Sequence, residues 1–197
     1  MILAIDTCLA TCAAALYDGE RTWTRAERIG VGHAERIAPM VQELLAEAGA
    51  AASDLARIAC TVGPGSFMGA RVGISLAKGL ALPRGLPTVP MTTTGAIALG
   101  APRPVTVLID ARRGQAYAER FGGGGAPLAL MPYAEAAALA EGGAVLGVGL
   151  EAVTGRAGPD AFPDTGAMAR HAQTATPARL RPLYLRAPDA KPGRPAL

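Results

Sequence analysis

The stretch GPGSFMGARVGISLAKGLAL, from Gly63 to Leu82, joins a glycine-rich turn to an apolar helix. The residues before it, Arg57 to Val62, form a short apolar run that predicts a buried strand. The Gly-Pro-Gly triplet ends that strand, because proline fixes φ and glycine accepts a positive φ. Ser66 then stands at the position of a helix N-cap. The segment therefore predicts a strand, a tight turn and a helix over Ser66 to Leu82.

The predicted helix carries very small residues at every fourth position, which places them in one stripe on its surface. The stripe consists of Gly69, Gly73, Ala77 and Ala81. Glycine inside a helix costs about 1 kcal/mol relative to alanine. We therefore expect another backbone to approach this stripe closely and to offset the loss.

A phosphate-binding loop is the alternative explanation of the turn. The motif G-x-x-x-x-G-K-[ST] needs a lysine directly after its last glycine, where it reaches the β and γ phosphates. Here Ala70 follows Gly69, and Lys78 lies well inside the helix. The spacing favours a tight strand-to-helix turn over a nucleotide-binding loop.

The composition limits the possible folds and functions. The chain has 197 residues, 50% of them hydrophobic and 4% aromatic, enough for one large domain or two small lobes packed from small side chains. No apolar run approaches the length of a membrane span, so we expect a cytoplasmic protein without membrane contact. The three cysteines are odd in number and lack C-x-x-C spacing, which argues against a disulfide framework and a zinc knuckle.

Basic residues are concentrated towards the end of the chain. From Arg170 onward one acid, Asp189, stands against six basic residues: Arg170, Arg179, Arg181, Arg186, Lys191 and Arg194. Such a tail is typical of a solvated terminus, and the alternative is a contact with RNA phosphate.

The two halves of the chain begin alike. Ile2–Asp6 and Thr106–Asp110 are both apolar runs that close on aspartate, and a second predicted strand follows each of them. This weak repeat predicts two α/β lobes, residues 1–101 and a smaller C-terminal lobe, 102–197, which carries the basic tail.

Other predicted elements fill the two lobes. A helix over His33–Ala48 is expected in the first lobe. In the second lobe we expect a helix over Tyr133–Glu141, a strand over Ala144–Val148, a helix over Gly166–Thr174 and a last strand over Leu183–Arg186.

Several short segments carry a resemblance that extends, in order, over nearly the whole chain. They are Ile5-Asp6-Thr7, His33-Ala34-Glu35, Gly63–Phe67 with Gly69 and Arg71, Lys78–Ala81, Asp110–Gly114 with Tyr117, and Pro182–Arg186. Together they resemble the TsaB family, formerly called YeaZ, a bacterial subunit of the machinery that makes threonylcarbamoyladenosine in tRNA.

The resemblance implies an actin-like ATPase fold of the sugar kinase, Hsp70 and actin type, with duplicated ribonuclease-H-like lobes and a reduced second lobe. In that superfamily an aspartate and a small hydroxyl residue on the first hairpin handle metal and phosphate, and Asp6 and Thr7 match them. The turn after Asp6 lacks the glycine that lets backbone N–H groups approach phosphate. We therefore expect a degenerate nucleotide site at Asp6, Thr7 and Asp110, and no ATP or other cofactor bound by this chain alone.

A metal site is not expected either. The related subunit TsaD binds its metal through two histidines four apart on a helix, a spacing that puts both on one face. His33 begins the matching helix here, but Ile37 stands where the second ligand would be. We interpret His33 as a helix-start or interface residue.

The resemblance also implies a partner surface. TsaB proteins use two first-lobe helices to pair with TsaD, or with a second TsaB copy when TsaD is absent. The expected partner-binding residues are His33, Ile37, Met40, Val41, Leu44, Gly69, Val72, Gly73, Leu76, Ala77 and Leu80. On this interpretation Gly73→Leu abolishes partner binding and leaves the fold intact. The alternative is that both helix faces only cover the lobe's own sheet.

The function implied is that of a non-catalytic scaffold subunit, which binds and activates TsaD, links it to the TsaE ATPase and meets tRNA through the complex. The alternative is an actin-fold ATP-binding enzyme, an ATPase or phosphotransferase that uses Asp6, Thr7 and Asp110. A peptidase is the least favoured class, because the chain lacks G-x-S-x-G and any Cys, His and acid constellation with motif support.

Overall fold

The structure, a computed structural model, describes residues 1–186, and in this range the chain forms two β-sheets. The first sheet has the strand order β3-β2-β1-β4-β5, with β1, β4 and β5 parallel and β1, β2 and β3 antiparallel. Its elements are β1 (Ile2–Asp6), β2 (Thr11–Tyr17), β3 (Thr22–Arg28), α1 (His33–Glu47), β4 (Arg57–Thr61), α2 (Phe67–Ala81), β5 (Thr88–Met91) and α3 (Thr93–Ile97). Short 3-10 turns at Ala52–Asp54 and Leu82–Arg84 complete this part of the chain.

The second sheet has the order β8-β7-β6-β9 and repeats the plan of the first, an antiparallel hairpin followed by a parallel strand. Its elements are β6 (Val105–Asp110), β7 (Gln115–Phe121), β8 (Ala126–Pro132), α4 (Tyr133–Leu139), β9 (Ala144–Val148) and α5 (Leu150–Thr154). A final helix, α6 (Thr165–Ala172), follows.

The matching hairpins confirm the duplication. Asp6 at the end of β1 pairs in register with Ala13, and Asp110 at the end of β6 pairs with Ala116. In both lobes the aspartate thus closes the strand that lies between an antiparallel and a parallel neighbour. The predicted two-lobed α/β fold is therefore observed.

The first sheet is covered on both faces. Leu3 and Ile5 of β1 point to the side that α1 and α2 cover, and Ala4 between them points to the side of α6, as the period of two in a strand requires. Alanines line the α6 side of the sheet at Ala4, Ala15 and Ala59. The prediction that α6 belongs to the second lobe is therefore wrong, because this helix packs on the first sheet.

Two other expectations about the C-terminal part need correction. Residues 183–186 form no strand, although the Leu183 N–H donates to the Val62 carbonyl at 2.8 Å. Leu180 is buried in the core beneath α1 and α2, so the chain returns to the first lobe after α6. The boundary between residues 101 and 102 stays a prediction. The part of the tail from residue 187, including Asp189, Lys191 and Arg194, lies outside the described residues.

No helix within residues 1–186 combines the length and the apolar character needed to cross a membrane.

Candidate functional site

The carboxyl end of β1 holds a fully buried carboxylate. Asp6 is 0% exposed, and its Oδ1 accepts hydrogen bonds from the Thr61 hydroxyl at 2.6 Å and from the Cys8 N–H at 3.2 Å. Its Oδ2 has no hydrogen-bond partner among the described residues. Burial raises the pKa of Asp6 to about 6, because the charged form loses its hydration, and the hydrogen bonds offset part of that rise.

The glycine-rich turn closes over this carboxylate. The Ser66 N–H donates to the Cys8 carbonyl at 2.7 Å, and the Thr7 hydroxyl donates to the Gly69 carbonyl at 2.7 Å. A Cβ on Gly65 would overlap with the Cys8 carbonyl oxygen, so the two turns touch backbone to backbone. Asp6 and Thr7 are consequently enclosed and have almost no contact with solvent.

The third residue of the predicted nucleotide site lies in the second sheet. Asp110 accepts hydrogen bonds at Oδ1 from the Tyr133 hydroxyl and from the Arg112 N–H, both at 2.7 Å. The Arg112 side chain lies 3.4 Å from its Oδ2. Asp110 therefore caps its own turn, and the Arg112 and Tyr133 that it contacts both belong to the second lobe.

No group of three or more His, Cys, Asp or Glu side chains that could hold a metal ion is present in the described part of the chain. His33 begins α1 with a buried side chain, and its Nε2 has no partner there. The absence of a metal site stays a prediction.

The small-residue stripe of α2 faces the protein's own sheet. A Cβ on Gly73 would lie 2.6 Å from Thr7 Oγ1 and 3.3 Å from Cys60 Sγ, and a Cβ on Gly69 would overlap with the Thr7 carbonyl oxygen. Ala77 is buried in the same core. The prediction that a partner's helix settles on Gly69, Gly73 and Ala77 is therefore wrong, and Gly73→Leu would disrupt this lobe.

Most of the predicted partner residues of α1 are also interior. Five of them are buried: His33, Ile37, Met40, Val41 and Leu44. All but His33 belong to the core cluster that α1 shares with the first sheet and α2. The broad apolar face of α1 thus covers its own sheet, which is the alternative that the sequence left open.

What remains accessible is the outer side of the seam between α1 and α2. Val72, Leu76 and Leu80 are half-buried, and a groove of about 370 Å³ runs beside the first two of them. Ala34 and Ala38 of α1 line one side of this α1–α2 groove, and Met68 of α2, 63% exposed, lines the other. Val31, 83% exposed, borders a smaller pocket that shares Ala34, Met68 and Val72 with the groove. These side chains form an accessible, mainly apolar surface, which Arg71 and Ser75 of α2 also border.

Comparisons with known proteins agree on one group of relatives. The family model of TsaD, described as tRNA N6-adenosine threonylcarbamoyltransferase, matches residues 27–132, which is more than half of the chain. The tRNA threonylcarbamoyladenosine biosynthesis protein TsaB of Escherichia coli is 40% identical over 121 residues, 59% of this chain and 52% of that protein. An uncharacterized protein of Mycobacterium tuberculosis is 33% identical over 200 residues, 97% of this chain and 94% of that protein.

Solved structures extend the likeness over nearly the whole chain. The structure of YeaZ from Pseudomonas aeruginosa superposes with a TM-score of 0.77 at 29% identity, covering 93% of this chain and 99% of that one. Another, described as an uncharacterized protein with similarity to peptidase YeaZ from Pseudomonas aeruginosa, has a TM-score of 0.79 at 26% identity and covers 94% and 99%.

The chain belongs to the TsaB (YeaZ) family. It spans about half the length of the curated TsaB relatives that it matches, including that of Haemophilus influenzae, of which it covers 51%. The family carries the actin-like, ribonuclease-H-like fold, and the two sheets described above agree with it.

Sequence reasoning missed an exposed cluster at the start of α2. The Arg71 guanidinium stacks on the Phe67 ring at 3.7 Å, and its Nε donates to the Tyr184 hydroxyl at 2.9 Å. The Phe67 and Tyr184 rings lie 5.0 Å apart. All three residues belong to the segments that carry the TsaB resemblance, and this shared membership is the sequence signal that could have identified the cluster. The cluster ties the C-terminal segment to α2.

Proposed function

We propose that this chain is a non-catalytic scaffold subunit of the bacterial complex that forms N6-threonylcarbamoyladenosine in tRNA. It binds and activates the TsaD catalytic subunit, links it to the TsaE ATPase, and forms a homodimer when TsaD is absent. It meets tRNA within the complex, works in the cytoplasm and has no membrane partner. Membership of the TsaB family supports the pathway, and the outer surface of the first lobe supports the scaffold role.

The observation that carries the proposal is the exposed apolar surface at the α1–α2 groove. Two of the exposed large hydrophobic residues, Val31 and Met68, border this groove and its neighbouring pocket. Apolar side chains that stay in water at one contiguous surface mark an interaction site. An apolar partner surface would remove them from water, which stabilises a complex by about 25 cal/mol for each Å² buried.

The enclosed Asp6 supports the non-catalytic part of the proposal. An actin-fold ATPase needs its first-lobe aspartate within reach of metal and phosphate, whereas here the turn at Ser66 seals Asp6 and Thr7 from solvent. The family resemblance thus fits a chain that binds a partner at its surface and keeps its nucleotide site closed.

The scaffold role predicts that a charge in the groove weakens the complex. We expect Met68→Glu and Ala34→Glu each to weaken binding to the cognate TsaD subunit at least tenfold, because the carboxylate must lose its hydration against an apolar partner. The same variants should shift the homodimer towards monomer and reduce tRNA modification in a reconstituted reaction. Titration calorimetry, sedimentation and the reconstituted reaction measure the three effects.

Ala46→Glu is the matched control, since Ala46 lies on α1, is exposed and does not line the groove. It should leave the affinity for TsaD unchanged. Full affinity in both groove variants would contradict the proposed surface, and full tRNA modification without this chain would contradict the scaffold function itself.

The closed nucleotide site gives a separate expectation. The purified chain should show no binding of ATP with magnesium at micromolar concentration, because Asp6 and Thr7 have no contact with solvent. Calorimetry on the wild type and on Asp6→Ala should give the same flat trace. Micromolar binding that Asp6→Ala removes would support the alternative enzyme instead.

A further inference from the structure

A second groove, of about 900 Å³, lies between the C-terminal end of α2 and the segment around residues 179–181. Thr88 of β5 fixes that segment, because its hydroxyl donates to the Ala178 carbonyl at 2.7 Å and its carbonyl accepts from the Ala178 N–H at 2.8 Å. Leu180 is buried in the core, while its neighbours Arg179 and Arg181 are exposed and line the groove. Lys78 of α2 lines it as well.

The charge in this groove is of one sign. Among residues 1–186, the lining includes Lys78, Arg179 and Arg181 and no Asp or Glu. Within residues 1–186 none of these three side chains forms a hydrogen bond or an ion pair. Several other basic side chains of the first lobe are paired, as Arg36 is with Glu27 and Glu43.

The remaining described arginines of the basic segment have structural partners. Arg170 donates to the Thr22 hydroxyl at 3.1 Å, and Arg186 donates to Gln115 Oε1 at 2.9 Å. Arg179 and Arg181 therefore differ from them, because the backbone of a fixed segment holds their charges in place and no side chain within residues 1–186 pairs with them. Three like charges in one groove repel each other, and an external polyanion relieves that repulsion.

We propose that this groove binds the phosphate backbone of tRNA. The choice of RNA as the polyanion rests on the proposed function. The kind of contact rests on the lining, since lysine and arginine without an aromatic side chain suit phosphates and leave the bases unread. The groove thus holds tRNA on the complex without selecting its sequence.

The test is direct binding of a labelled tRNA transcript to the isolated chain, measured by fluorescence anisotropy between 50 and 300 mM KCl. The variant is Lys78→Gln with Arg179→Gln and Arg181→Gln. The matched control removes three other charges, by Arg21→Gln, Arg103→Gln and Arg156→Gln, none of which lines the groove. We expect the groove variant to bind at least tenfold more weakly at low salt, and its log–log salt slope to fall by about 2 to 3.

Three results would overturn the inference: equal losses in the groove variant and the control, no tRNA binding by the wild type at low salt, or a groove variant that keeps tRNA but loses poly-glutamate. The last would assign the groove to an acidic protein partner. Loss of tRNA confined to the groove variant sustains the inference even if the reconstituted reaction proves independent of this chain. The experiment thus distinguishes a groove that does not bind tRNA from a chain that is not a scaffold subunit.

Discussion

Gly69→Ala is expected to destabilise the first lobe by about 3 kcal/mol, a large fraction of the 5 to 15 kcal/mol that holds a typical domain folded. The new Cβ would overlap with the Thr7 carbonyl oxygen, at a separation far below the van der Waals contact distance. That oxygen belongs to the backbone at the end of β1, so it cannot swing aside as a flexible side chain would. Either α2 or the turn after β1 has to move.

The same helix offers a matched control. Gly79 is exposed near the C-terminal end of α2, and a Cβ there would meet no atom of residues 1–186 within 4 Å. Gly79→Ala should therefore stabilise the helix by up to about 1 kcal/mol, since only the propensity gain remains. The same Gly→Ala substitution is thus expected to lower stability at position 69 and to raise it at position 79.

Urea denaturation followed by tryptophan fluorescence measures both variants. Trp23 is the only tryptophan of the chain and lies in β3, packed against the core beneath α1 and α2, so its emission reports on this lobe. Equal midpoints for Gly69→Ala and the wild type would mean that α2 has room to withdraw from β1.

The small-residue stripe shows how far the sequence leads and where it stops. The period of four predicts a helix with one side open to close approach, and α2 with its Ser66 cap, which accepts from the Gly69 N–H at 3.1 Å, agrees with that. The period does not identify which part of the protein, or which partner, packs against the stripe. A sheet of the same lobe and a helix of another chain both require glycine, and only the three-dimensional structure shows that Thr7 and Cys60 fill the space.

The sequence pattern did not predict strand β3, for a related reason. Its sequence, TWTRAER, has the alternation of an edge strand, but its charged residues resemble a polar loop. In the fold two of these charges are paired across to α1, where Arg36 contacts Glu27 and Arg25 contacts Glu43 and Glu47. The third, Arg28, is paired with Asp160. The pairing depends on residues that are distant in the chain, so local propensity does not show it.

The last element shows the limit for domain organisation. A helix that follows the second lobe in the sequence is assigned to that lobe by default, whereas α6 returns to the alanine-rich face of the first sheet. Ala4, Ala15 and Ala59 could have signalled a helix on that face, but nothing local identifies which helix packs there.

Asp6→Asn is expected to change the pH dependence of stability by about 3 kcal/mol. Burial raises the pKa of Asp6 to about 6 in the folded state, from 3.8 as the ordinary value of the side chain. Between these values the folded protein holds a proton that the unfolded chain has released, so stability falls as pH rises. The full loss of unfolding free energy is present above pH 6 and absent below pH 3.8. The pKa difference of 6 − 3.8 = 2.2 corresponds to about 3 kcal/mol.

The asparagine side chain has the shape of the protonated carboxyl group and does not titrate. The substitution also changes the free energy of unfolding by an amount that does not depend on pH, and this amount cancels when the difference between variant and wild type is followed across pH. The contributions of all other titrating groups are common to both proteins and cancel as well. We expect the difference to move in favour of Asp6→Asn by about 2.4 kcal/mol between pH 4 and pH 7 and to stay nearly constant above. The rest of the full change of about 3 kcal/mol falls below pH 4, where the carboxyl group of the unfolded chain is still titrating. Urea denaturation curves with the Trp23 signal at each pH give the measurement.

Asp18→Asn is the control with the opposite sign. Asp18 is exposed, and hydrogen bonds from the backbone N–H groups of Arg21 and Glu20 lower its pKa. Its contribution is present above the ordinary pKa and is lost as pH falls, so the relative stability of Asp18→Asn should not rise between pH 4 and pH 7. A pH-independent difference for Asp6→Asn would mean that Asp6 ionises freely inside the fold. The turn at Ser66 would then admit water or a cation to Oδ2 of Asp6, and the predicted nucleotide site would have to be regarded as open.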